Sequence, residues 1–125
     1  MSDSFAGLKK RTKEFALRVI RLATSLPSGK TSDVIQYQLL KSGTSVGANY
    51  RAACRAKSPK AFCAKMSIVE EEADESVYWM ELIIESGLMK EELVADLMQE
   101  GNELTAIAVA SINTSRKGDG RKPAV

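Results

Sequence analysis

The stretch PKAFCAKMSIVEEEADESVYWMELIIES, residues 59–86, limits what this chain can fold into more than any other. It has no Gly, and its one Pro stands first, where a helix tolerates it. The spacing predicts one long helix with two apolar seams. Phe62, Met66, Val69, Ala73, Val77, Met80 and Ile84 recur every three or four residues and form the first. Ala61, Ala64, Ile68, Tyr78, Trp79 and Leu82 form the second on nearly the opposite side, with Glu71 and Glu75 in its middle. A helix at the edge of a small bundle buries one seam, so the second calls for another partner. The pattern points to binding or assembly more than to catalysis.

The rest of the chain supplies three more helices. The first is expected over about residues 4–26, where Phe5, Leu8, Thr12, Phe15, Val19, Leu22 and Leu26 keep the rhythm of a bundle helix. Lys9, Lys10, Arg11, Lys13, Arg18 and Arg21 lie off that seam or at its flanks. They form either a solvated face or a stripe for phosphates, which Lys and Arg neutralise without any base contact. No aromatic residues are interleaved with them, so base stacking is not indicated.

Pro27-Ser28-Gly29 is a turn, and Thr31, Ser32 or Asp33 can cap a second helix over about 33–56. Its core face is Ile35, Leu39, Val46 and Ala53, with Ser42 and with Asn49 as either a buried register-setting hydrogen-bonding group or a ligand contact. Gly43 and Gly47 weaken that helix and suit a close approach of another backbone. Ser58 is a suitable N-cap for the third helix, 59–86, and Gly87 a suitable stop. A fourth helix is expected over about 90–115, with Leu93, Leu97, Leu104, Ile107 or Ala108, and Ser111 or Ile112 facing inward, and Gly101 interrupting it. Residues 1–115 would form one domain, and the Gly- and charge-rich residues 116–125 a disordered tail.

The chain has no His, which removes Ser-His and Cys-His nucleophile pairs, imidazole metal ligands and a ferritin-like di-iron centre. No metal or cofactor is expected. No apolar run approaches a membrane span, no signal-peptide pattern is present, and Cys54 and Cys63 read as reduced thiols, so the expected location is the cytoplasm.

The net charge of +2 conceals a polarity along the chain. Residues 1–65 carry 13 Lys and Arg against 3 Asp and Glu, whereas residues 66–125 carry 5 against 13. A basic half fits an anionic partner or an acidic helix, and the two can coexist. Arg51 and Arg55 are four apart and opposite their core face, alongside Tyr37, Leu40 and Ala48; Glu71 and Glu75 are spaced alike. A ladder from Arg51 and Arg55 of one subunit to Glu71 and Glu75 of another is therefore expected, flanked by Ile68, Tyr78, Trp79 and Leu82. Most of the acids Glu70, Glu71, Glu72, Asp74, Glu75, Glu81 and Glu85 read as salt-bridge partners of the first two helices.

Three segments carry a family resemblance across nearly the whole chain. These are FALRVIRLATSLP (15–27), QLLKSGTSVGANYRAACRAKS (38–58) and KMSIVEEEADESVYWMELI (65–83). They resemble the four-helix-bundle family first noticed as products of intervening sequences within bacterial 23S ribosomal RNA genes. The resemblance implies a compact bundle assembling as a ring-shaped homopentamer. A related group, the accessory determinants of diversity-generating retroelements, has a similar pentameric barrel with a basic surface and works with a reverse transcriptase and nucleic acid. In another branch, Ile-Ala-Glu-Gly follows the position of Asn49; here Tyr50, Arg51, Ala52 and Ala53 follow it.

The expectation is an all-α, antiparallel up-and-down four-helix bundle that forms a homo-oligomer and is not an enzyme. Its lead function is a scaffold presenting helix-one cations to RNA, DNA or a nucleic-acid-handling protein. The alternative is a purely protein-binding or structural homo-oligomer.

Overall fold

The computed structural model describes residues 5–118 and contains four α-helices, with no strand among those residues. They are α1 (Phe5–Thr24), α2 (Lys30–Cys54), α3 (Pro59–Glu85) and α4 (Ala95–Gly118), with a 3₁₀ turn at Glu91–Leu93 before α4. The helices pack in chain order, α1 on α2, α2 on α3 and α3 on α4, while α4 touches α1 more sparsely. The helix-one seam residue Phe5 lies outside the residues whose side chains are described, and residues 119–125 of the expected tail lie outside the described residues altogether.

The predicted seams form most of the core. Leu8, Thr12, Phe15, Val19, Leu22 and Leu26 are buried from the first helix and its exit, as are Phe62, Met66, Val69, Ala73, Val77 and Met80 from α3. At the end of α3 the buried residue is Ile83 in place of Ile84. Ser76, Met80 and Ile83 continue one helical line, and Ser76 Oγ donates to Ser42 Oγ of α2 at 3.1 Å, so this line follows α2.

Helix ends follow local chemistry. The Ser58 hydroxyl accepts from the Ala61 N–H at 3.0 Å and caps α3 as expected. After Ser86, Gly87 adopts φ 81°, and the Gly87 and Leu88 N–H groups donate back to Ile84 O and Ile83 O at 3.0 Å each. That is a Schellman stop, which needs the left-handed conformation only Gly adopts freely.

Helix α2 starts earlier than expected. Its N-cap is Gly29, which has no side chain to cap with, and the Asp33 N–H donates to Gly29 O at 2.9 Å as the first bond of the helix. Thr31, Ser32 and Asp33 thus lie inside the helix, with Ser32 buried.

Two further corrections concern which residues face inward. Asn49 is half-buried and donates to Ser45 O of its own helix, so it sets no register; Tyr50 takes the buried place. Leu93 is 65% exposed and Val94 is fully buried, because the 3₁₀ turn shifts the inward line by one residue. At its other end α4 carries on through Arg116 and Lys117 to Gly118, so the expected break after Ser115 does not occur.

The glycines inside helices mark close approaches. A Cβ on Gly43 would sit 2.6 and 2.8 Å from the two Val19 methyls, and one on Gly101 2.8 Å from a Val77 methyl. Val19 is fully buried and stiff at χ1, so it cannot turn away. Gly43→Ala is therefore expected to destabilise by about 1 kcal/mol, overpacking outweighing the gain in helix propensity. In urea denaturation, Val19→Ala combined with Gly43→Ala should cost less than the two separate losses added together.

Candidate nucleic-acid interface

Gly43 and Gly47 let α2 approach α1 closely, and the rim of that contact carries the basic residues. The Cβ position of Gly47 lies 3.2 Å from Thr12 Oγ1 and 3.4 Å from the Thr12 backbone carbon. Outside this contact runs an open groove of about 480 Å³. Thr12, Ala16, Thr44, Gly47 and Ala48 line it, with Lys9, Lys10, Lys13 and Arg51 around them. No carboxylate is among these lining residues. The four cations are exposed, and an anion in the groove would meet several of them together.

The helix-one cations therefore divide into two sets. Lys9, Lys10 and Lys13 belong to the groove. Arg11 does not: its Nε donates to Glu100 Oε2 at 2.7 Å and its Nη2 to Glu100 Oε1 at 2.9 Å, with a further bond to Glu103. Hydrogen bonds to Glu100, with that group's charge and Glu103, raise the Arg11 pKa against a smaller opposing effect of burial. The Glu103 carboxyl is lowered from its ordinary value, first by the Gln99 amide and then by Arg11. Arg11 thus clamps α1 to α4 and, unlike the lysines, does not line the groove. Arg18 lies seven residues on, along the Arg11 line, and Arg21 lies nearer the outward side of α1; neither lines the groove.

The α3 face expected at a subunit interface is partly used within the chain. Trp79 and Leu82 pack against the core, Ile68 is half-buried, and Tyr78 is exposed. The Tyr78 and Trp79 rings meet edge-on at 5.0 Å, and the Trp79 indole N–H donates to Glu75 at 3.1 Å. Among the described residues, Arg51, Arg55 and Glu71 have no ion-pair partner.

The seven α3 carboxylates likewise form no ion pair among the described residues, which corrects their reading as partners of the first two helices. Glu72 is half-buried, and desolvation with repulsion from Glu75 and Glu71 raises its pKa, Lys41 opposing. Among the described residues no three His, Cys, Asp or Glu side chains converge on a possible metal position, and no helix is long and apolar enough to cross a membrane.

Arg51, expected from the sequence to face a neighbouring subunit, also stands beside the helix-one lysines, a placement the sequence does not reveal. The missing signal is flank direction. Periodicity separates the buried face from the exposed one, but does not tell which exposed flank faces which neighbour.

The pattern of the 23S rRNA-intervening sequence proteins matches residues 7–110 of this chain. No curated protein matches it. A solved structure from Bacteroides thetaiotaomicron VPI-5482, described as a protein with unknown function from the S23 ribosomal protein family, is 34% identical and superposes with a TM-score of 0.79. The match covers 85% of this chain and 98% of that one. With the helical bundle and a family pattern spanning most of the sequence, the chain belongs to the 23S rRNA-intervening sequence protein family.

Proposed function

We propose that this protein is a non-enzymatic scaffold, an antiparallel up-and-down bundle acting in the cytoplasm, that binds nucleic acid through the α1–α2 groove. The observation that carries this reading is the convergence of Lys9, Lys10, Lys13 and Arg51 on one groove without a carboxylate. Phosphates are recognised by such a cluster through charge alone, with counterion release as the driving term. A nucleic-acid-handling protein bound at the same time fits a scaffold role. The scaffold is a homo-oligomer in this proposal, with Tyr78, Glu71 and Glu75 of α3 offered to a neighbour; the ring of five rests on the family resemblance.

A second reading is favoured by the unpaired charges. Arg51 and Arg55 of one copy would meet Glu71 and Glu75 of another, giving a purely structural homo-oligomer whose groove is covered by its neighbour. Light scattering with and without an RNA pool, at low and moderate salt, separates the two. An oligomer that gains salt-sensitive RNA mass supports the scaffold. An oligomer indifferent to RNA, and dissociated by Glu71→Lys with Glu75→Lys, supports the structural assembly. A monomer that binds no RNA sinks both.

A further inference from the structure

We propose that the groove takes a single strand, its phosphates at the cationic end and a base stacked on Tyr37. This inference rests on the nucleic-acid reading above and narrows its ligand. Tyr37, Thr44 and Arg51 are spaced by seven residues, so they share one line along α2. Thr44 and Arg51 line the groove, which places Tyr37 on its continuation. On α1, Lys9, Lys13, Ala16 and Ile20 step by four, three and four along one line, and the first three line the groove.

The two continuations run toward the same end of the α1–α2 pair. The Gln36 amide donates to Ala23 O at 2.6 Å, and Gly43 faces Val19, so the beginning of α2 lies against the end of α1. Tyr37 is 62% exposed and Ile20 is 40% exposed. The α1–α2 face thus runs from four cations, over a floor of small residues, to an end that carries an exposed aromatic ring on α2 and an exposed aliphatic side chain on α1. From Arg51 to Tyr37 it is about 21 Å long, enough for several nucleotides.

A cationic track followed by an aromatic platform is the arrangement that binds single strands, because every base has a face to stack. A duplex keeps its bases stacked inside and would offer Tyr37 nothing. Three of the four cations are Lys, compact point charges that serve phosphates. An acidic helix from a second copy is the competing occupant.

The test uses fluorescence anisotropy of the full chain with a labelled oligouridylate and a labelled RNA duplex of equal length. The wild type should bind the single strand more tightly. Tyr37→Ala should weaken single-strand binding by about tenfold, the loss of one stacked base, and leave duplex binding unchanged; Tyr37→Phe should retain affinity. Thermal unfolding of Tyr37→Ala should match the wild type, because the ring is exposed.

If the duplex binds as well as the single strand, or Tyr37→Ala weakens neither or both equally, the single-strand inference is overturned while groove binding stands. If neither probe binds at low salt, the nucleic-acid reading falls and takes this inference with it. Mass growth of the protein alone that Lys13→Glu abolishes, without RNA binding, assigns the groove to a second copy and overturns the proposal as well.

Discussion

Reversing Lys9 and Lys13 together to Glu should weaken RNA binding on the order of 100-fold at low salt, while the same reversal at Arg18 and Arg21 should weaken it far less. Both double variants change the net charge equally, so a general field effect would treat them alike. The groove account does not. Lys9 and Lys13 stand together beside Arg51, and each reversal replaces a phosphate contact with a repulsion. Arg18 and Arg21 do not line the groove, so their reversal removes no direct phosphate contact. Anisotropy titrations of the two variants measure the difference, and equal losses would show that no particular groove is used.

Arg11→Ala should do the reverse: lower stability by roughly 2 kcal/mol and leave RNA affinity nearly unchanged. The guanidinium holds Glu100 by two parallel bonds and adds a third to Glu103. Its side chain is 30% exposed and that of Glu100 only 17%, so truncation leaves a carboxylate that is largely desolvated and has lost its counter-charge. Since α1 and α4 touch sparsely elsewhere, little else joins them. Urea denaturation should show the midpoint fall, and Arg11→Lys should recover part of it, because an ammonium keeps the charge without the fork. Unchanged stability in Arg11→Ala would mean that the clamp contributes nothing in solution. A large loss of RNA affinity in a folded Arg11→Ala protein would return Arg11 to the binding stripe.

These two expectations also show what could be read from the chain and what could not. Helix existence was legible wherever apolar residues kept a regular step, and the seam from Phe62 to Met80 is buried as its spacing requires. Punctuation was legible where one residue has one physical reason to be there, as with the Ser58 cap and the Gly87 stop. The helix glycines were legible as close approaches, although not the identity of Val19 and Val77 as their neighbours.

What failed depended on tertiary direction. Lys9, Arg11 and Lys13 are adjacent in sequence and similar in chemistry, yet Arg11 leans toward α4 and the lysines toward α2. Leu93 and Val94 exchanged places because a 3₁₀ turn advances the chain by a different angle. The α3 carboxylates were expected to pair with the basic helices, but α1 offers its arginine to α4. For Tyr37, its place opposite the core was legible, and its alignment with the lysines across the groove was not.

The measurement that tests the central claim most directly is the salt dependence of single-strand affinity, for the wild type and for Lys9→Glu with Lys13→Glu. A groove with four cations should give a log–log slope between about −2 and −3, and the variant a slope nearer zero. A wild-type affinity that does not change with salt, or a slope that survives the reversal intact, would contradict a phosphate-binding groove between α1 and α2.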